Sequence, residues 1–417
     1  MYERILLCLL TCLACTPLAE AAEPTLGYQA NVQVTGPTRI DWVFTVANQS
    51  PVKPPADWLR DYDSAAQTYE LFVPRSYRAG QGAALMLFIS PGDRGAGYDQ
   101  WKQVCTRHGL LFASPHNAGN RCPTEQRVRI VLDVLDDIRR SYDIDPDRTY
   151  IGGFSGGGRI ACSIGFALPE YFGGVVPVCA GGDLRDESWL RHRVIDRLSV
   201  AHLTGESDFN RGEVERLRGP LLKNVGVRSR VWVAPKLGHG IPSAKSLDEA
   251  FLWLEEARGE RVAVAMRFPA SRASRSEGLT REGQAASLLA EAKRRVESKE
   301  TRYSGLMQMK GILTRWPNLA AAREARSILL SYEQGDDRSW AAEDIVEQRR
   351  FLIARARAID AYASGPLPRQ YDRQRADMVK AAINLWKTVL NDGQDADAVA
   401  EARKRLPELE KILDGQP

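Results

Sequence analysis

The chain has 417 residues, enough for two or three domains, and with 44% hydrophobic and 26% charged residues its composition is that of a globular protein, which excludes wholesale disorder. A formal net charge of +4 is too small a bias to point to nucleic acid or a membrane surface as partner, and the basic residues are dispersed without interleaved aromatics.

The N-terminal stretch "MYERILLCLLTCLACTPLAEAAEP" has a short apolar core from Ile5 to Leu13 and a small-residue exit at Ala19-Glu20-Ala21. That core is too short to span a bilayer and has the layout of a secretory signal peptide, expected over residues 1–21, although Glu3 offsets Arg4 in the charged region. Acylation of Cys15 as a lipoprotein is the weaker alternative, because Cys12 stands where an aliphatic residue is required. No other segment is apolar enough to cross a membrane, so the chain is expected to be exported, periplasmic or extracellular. Of seven cysteines, Cys8, Cys12 and Cys15 fall in this leader. The remaining Cys105, Cys122, Cys162 and Cys179 permit disulfides in an oxidising compartment, with the sequence-local pairs Cys105–Cys122 and Cys162–Cys179 expected. Burial of Cys162 and Cys179 as small apolar residues is the competing reading.

Next, "TRIDWVFTVA" and "QTYELFVP" read as strands, being rich in β-branched and aromatic residues. Then "AALMLFIS", a helix around Trp101 to His108, "GLLFASP", and the long helix "TEQRVRIVLDVLDDIRRSY" follow in turn. "TYIGGF" precedes a helix from Gly156, and "GGVVPVCA", "VAHLTG" and "RVWVAP" complete the strands before the helix "LDEAFLWLEEAR". Continuous apolar strands separated by helices predict a parallel sheet covered on both faces, over a domain spanning residues 22–258.

Residues 259–284, including "RFPASRASRSEGLTREGQ", are polar and lack periodicity, and read as a linker. Residues 285–417 read as all-helical. Within them "ILTRWPNLAAAREARSIL" and "TVLNDGQDADAVAEARKRL" align Ala325 with Ala402, an offset of 77 residues or about two helical-hairpin repeats. The first copy resembles degenerate tetratricopeptide repeats, an alternative being a helical bundle without repeats.

The strand that runs into Gly153-Phe154-Ser155-Gly156-Gly157 and on into a helix matches the nucleophile elbow, G-x-S-x-G. The turn holds the serine clear of the sheet, glycine fills the positions where side chains would clash, and the helix start offers free N–H groups to developing negative charge. Glycine-rich turns also bind phosphate, but no GK[ST] follows and the spacing fits neither a P-loop nor G-x-G-x-x-G. An elbow requires an acid and then a histidine downstream. Asp208 follows the strand "VAHLTG", and His239, the last of five histidines, follows "RVWVAP". Ser155 is thus the expected nucleophile, His239 the base and Asp208 the acid that orients it. Glu206 and Asp183 are rival acids. The oxyanion hole is expected from the N–H of Gly156 with a second donor from Gly92 or Asp93, in the loop "ISPGDRGAGYDQW". Arg94 in that loop and His116 after the next strand are candidate substrate contacts, against ordinary surface and structural roles. No His, Cys and carboxylate cluster has metal-ligand spacing, and no cofactor is implied.

The segment from about residue 65 to 257 resembles the α/β-hydrolase superfamily, with an all-α region following it. Within it "YELFVPRSY", "DVLDDIRRSYDIDPDRTYIGGFSGGGRIA" and "GESDFNR" resemble secreted esterases of the polyhydroxybutyrate-depolymerase and feruloyl-esterase type. The resemblance implies ester cleavage through an acyl-serine intermediate, with Ser155, Asp208 and His239 as nucleophile, acid and base and a small-molecule or polymer-linked ester as substrate. The chain departs from the family at Ser90-Pro91-Gly92, where His-Gly is usual, and at Gly156, often alanine. Two other functions stay open: a serine peptidase or amide hydrolase on the same fold, since the triad serves both, and a catalytically weak scaffold whose helical tail binds a protein partner.

Overall fold

The computed structural model describes residues 25–47, 55–273, 280–336 and 338–415; the expected signal peptide lies outside them. Among the described residues, eight strands form one sheet in the order β1-β2-β4-β3-β5-β6-β7-β8. They are β1 Gly27–Gln33, β2 Thr68–Val73, β3 Ala83–Ile89, β4 Leu110–Pro115, β5 Ile144–Phe154, β6 Gly174–Val178, β7 Ser199–Gly205 and β8 Arg228–Ala234. β2 pairs antiparallel with β1 and β4, and every pairing from β4 through β8 is parallel. This is the α/β-hydrolase fold.

The expected strand "TRIDWVFTVA" is instead a loop ending in the single-turn helix α1, Val43–Val46. The carboxylates of the long helix α3, Thr124–Ser141, take the backbone donors that a sheet ladder would use. Asp137 accepts from the Thr35 N–H at 2.8 Å, Asp133 from Thr38 at 2.7 Å and Asp136 from Arg39 at 2.8 Å. Side-chain pairing thus overrides the β-propensity of the segment. The antiparallel edge is supplied by β1, which no sequence signal marked.

Each face of the sheet carries its own core. On one side lie α1, α3, α4 (Gly156–Ala167), α5 (Ser188–Arg197) and α6 (Gly219–Val225), the last preceded by a π-wound turn over Glu213–Arg218. On the other lie α2 (Tyr98–His108) and α7 (Ala244–Glu256). Coverage on both sides is why the parallel strands read as unbroken apolar runs. It also corrects the disulfide expectation, for all four cysteines are free. Cys105 and Cys179 belong to the α2/α7 core, whereas Cys162 is buried in the opposite core and Cys122 packs against it. The sheet therefore separates both expected pairs.

The expected linker is structured in its first part, as helix α8, Arg258–Arg267. Its buried positions one turn apart are Arg261 and Ala265, each 3% exposed, and Arg261 donates to the carbonyls of Asp147 and Leu254 at 3.1 Å. Because one inward position is an arginine, apolar periodicity cannot reveal this helix. Six α-helices follow among the described residues: α9 Arg281–Glu297, α10 Arg302–Arg315, α11 Ala320–Gln334, α12 Ser339–Ser364, α13 Arg375–Asp392 and α14 Ala396–Asp414. They pack against the α/β domain rather than extending from it. Arg315 and Trp316, the "RW" of the repeat-like motif, both reach Asp41 across the boundary, at 3.3 and 2.8 Å. Arg315 also pairs with Glu170 at 2.7 Å. No helix among the described residues is long and apolar enough to cross a membrane.

Candidate active site

β5 delivers Ser155 at the carboxyl edge of the sheet with φ 54° and ψ −120°, a conformation that non-glycine residues rarely hold. Its N–H donates to the Val178 carbonyl on β6 at 2.8 Å, which fixes the turn. The flanking glycines are demanded by space. A Cβ on Gly153 would stand 2.5 Å from the Gly157 backbone, and one on Gly157 2.0 Å from the Ile89 carbonyl oxygen. Helix α4 begins at Gly156, so its first N–H groups have no carbonyl within the helix to satisfy them and face the serine.

The loops after β7 and β8 bring the other two groups to this edge. They are laced together by the Glu206 N–H to the Ala234 carbonyl and the Ser207 N–H to the Leu237 carbonyl, both at 2.9 Å. Gly205 permits this approach, because a Cβ there would stand 2.3 Å from two carbonyl oxygens of the opposing loop. The His239 Nδ1–H donates to Asp208 Oδ1 at 2.7 Å, and Ser155 Oγ donates to His239 Nε2 at 3.0 Å. The Asp208 side chain is fully buried and is held by Thr204 Oγ1 at 2.6 Å and the Asn210 N–H at 3.1 Å. The carboxylate sets the tautomer, leaving Nε2 free to accept.

Neither rival acid approaches the histidine. Glu206 accepts from the Lys236 N–H at 2.8 Å, and Asp183 pairs with Arg218. Among the described residues, Cys179, Asp208 and His239 have ligand atoms within 4.8 Å of one another, a cluster that sequence spacing concealed. Burial pushes the Cys179 thiol up to about 12, and Asp208 and His239 are hydrogen-bonded to each other.

The loop after β3 answers the oxyanion expectation only in part. Pro91 has no N–H, and the Gly92 N–H donates to Ser90 Oγ at 3.1 Å. The N–H groups of Gly95 and Ala96 donate to His116 Nδ1 at 2.8 Å and Ser114 Oγ at 2.9 Å. Asp93 remains of the two candidate second donors, while its carboxylate pairs with Arg121. Both ring nitrogens of His116 are engaged, the second donating to the Ala30 carbonyl at 2.9 Å. Arg94 is exposed. Two residues carried no sequence signal. Asn120, whose N–H donates to the Pro91 carbonyl at 2.8 Å, lays its amide directly over the Gly156 Cα. Phe209 stacks on the His239 ring.

No family model matches the chain. Among curated proteins it is similar to a poly(3-hydroxybutyrate) depolymerase of Ralstonia pickettii, 29% identical over 96 residues that cover 19% of this chain and 20% of that protein. The chain thus matches about a fifth of the length of that relative. Among solved structures it is similar to a thermostable esterase at 25% identity and a TM-score of 0.37, covering 46% of this chain and 59% of that one. A thermophilic esterase of the planctomycete Thermogutta terrifontis matches at 16% identity and a TM-score of 0.35, covering 49% and 89%.

Proposed function

We propose that the chain is an exported serine hydrolase that cleaves carboxylic esters through an acyl-enzyme on Ser155. The observation that carries this reading is the unbroken relay from Ser155 Oγ through the His239 ring to buried Asp208. The similarity to a poly(3-hydroxybutyrate) depolymerase favours an ester over an amide as the scissile bond. Export rests on the N-terminal leader alone.

Ser155 Oγ attacks the ester carbonyl as His239 Nε2 takes its proton, and the carbonyl oxygen gains the negative charge. The Gly156 N–H at the start of α4 and the Asp93 N–H receive that oxyanion. Collapse breaks the bond to the alcohol oxygen, which leaves with the proton from His239. Water then attacks the acyl-serine by the same route, His239 again taking and returning the proton, and releases the acid. Asp208 stays ionised and stabilises the imidazolium, and Thr204 and Asn210 keep it in place.

Labelling with a fluorophosphonate, wild type beside Ser155→Ala, tests the reading. Modification confined to Ser155, with p-nitrophenyl acetate turnover lost by a factor of about 10³ or more in the variant, is the expected result. A folded wild type that takes no label, or a variant that keeps its turnover, overturns it.

A further inference from the structure

A cavity of about 1200 Å³ lies between the catalytic domain and the tail, lined by the loop after β6, the turn before α6, and helices α12 and α13. Two of its walls continue the segments that bear the reacting groups. Arg159 on its rim is one turn along α4 from Ser155, about 6 Å along the helix axis. Glu213 follows closely on Asp208 in the chain, and Arg159 holds it in a two-pronged ion pair at 2.8 and 2.6 Å. Ser155, Asp208 and His239 do not themselves line the cavity; its wall begins one helical turn beyond Ser155, at Arg159.

The lining selects by chemistry. Each guanidinium at the cavity already meets a carboxylate: Arg159 and Arg218 share Glu213, Arg185 pairs with Glu187, and Arg355 with Asp186. Asp183 and Asp377 line the cavity as well, so the carboxylates outnumber these guanidinia by one and the cavity holds no unmatched cation to draw an anion. Between them stand the apolar side chains Leu217, Leu221, Phe351, Ile359 and Met378, with Tyr371 and Gln374 as neutral hydrogen-bonding groups. The roof is fixed in place. Buried Arg191 of α5 reaches Glu347 of α12 at 2.9 Å and lies 3.8 Å from the Phe351 ring centre, and Arg216 donates to the Pro366 carbonyl. The volume exceeds the roughly 300–1000 Å³ that holds a compact ligand, so it suits an extended one.

We infer that this cleft binds the arm of the ester beyond the scissile bond, and that the preferred substrate is a neutral ester with a long, mainly apolar arm, held in part by the helical tail. The identity of the ligand as substrate rests on the serine-hydrolase reading; the cleft as an apolar-ligand site does not.

Met378→Trp and Ala381→Trp fill the cleft from α13, at half-buried positions away from the triad. With p-nitrophenyl decanoate, kcat/KM is expected to fall at least tenfold, mainly through KM, while p-nitrophenyl acetate changes less than twofold. A second measurement avoids turnover: titration of Ser155→Ala with methyl decanoate is expected to show saturable binding that weakens at least tenfold when Met378→Trp is added. Should Met378→Trp fail to fold, Ala381→Trp carries both measurements. Equal losses on the two esters, no loss on the decanoate, or no saturable binding overturns the inference. Met378-dependent binding by a wild type that hydrolyses neither ester instead overturns the serine-hydrolase reading and keeps the cleft as a ligand site.

Discussion

Phe209 stacks on the His239 imidazole with ring centres 4.1 Å apart and planes 27° from parallel, although 48% of its surface is exposed. Phe154 contacts the same imidazole at 4.8 Å. An aromatic kept half in water needs a reason, and the reaction supplies one. In the reaction proposed above His239 takes the serine proton and becomes a cation against an aromatic face, which would stabilise it by about 0.5–2 kcal/mol and shield its hydrogen bonds from water.

Phe209→Ala is therefore expected to lower kcat/KM for p-nitrophenyl acetate about 5- to 20-fold, with folding stability within about 0.5 kcal/mol of wild type, as for other exposed substitutions. Phe209→Leu restores bulk without a π face and should recover only the part owed to water exclusion. Full recovery in the leucine variant would show that the ring acts by shielding alone.

Most of the parallel strands were legible because they carry apolar runs, and the order Ser155, Asp208, His239 because each follows such a run at the same edge of the sheet. What stayed hidden depended on distant partners. Residues 38–47 have the composition of a strand, yet Asp133 and Asp136, about 95 residues away, take their backbone donors. The cysteine pairs looked natural by separation along the chain, but only the sheet reveals that Cys162 and Cys179 face opposite cores. His116 stands at the right edge for a substrate contact, and only its bonds to Gly95 and Ala30 show both nitrogens in use. The "RWP" motif pointed to helical repeats, while in space its arginine and tryptophan fasten the tail to Asp41.

In the loop after β3 and at Gly156, where the sequence departs from the esterases it resembles, the two departures are coupled through Asn120. An alanine Cβ at position 156 would stand 2.0 Å from Asn120 Oδ1 and 2.7 Å from its Cγ, so Gly156 and Asn120 fit each other. Gly156→Ala must drive the amide aside, and Asn120 is tied through its N–H to Pro91, beside Gly92 and Asp93. Since loss of one oxyanion donor costs about 10²–10³ in kcat, a partial displacement should cost about tenfold. The double variant Gly156→Ala with Asn120→Gly removes the clash and should recover most of that loss in a p-nitrophenyl acetate assay. No recovery would mean that the Asn120 amide itself contributes to turnover.

The attachment of the tail makes a prediction in pH and by mutation. Burial alone would raise the Glu170 carboxyl, but the Arg193 and Arg315 guanidinia outweigh it and hold it at about 2. The folded state thus keeps this group ionised where the unfolded chain, near 4.5, takes up a proton. Its stabilisation is fully present above about pH 4.5 and is lost as pH falls toward 2, at most about 3 kcal/mol across that window. Arg315 is 1% exposed and serves Asp41 as well as Glu170, so Arg315→Met takes one cation from two buried carboxylates, leaving Glu170 with Arg193 and Asp41 with the Trp316 N–H. Urea denaturation at pH 7 should show a loss of about 3 kcal/mol, the low end of the cost of breaking a buried ion pair. Its acid dependence between pH 4.5 and 3 should also be shallower than that of wild type, because Glu170 without Arg315 titrates closer to its unfolded value. A loss under 1 kcal/mol with an unchanged acid slope would show that the tail is held by its apolar contacts rather than by this ion cluster.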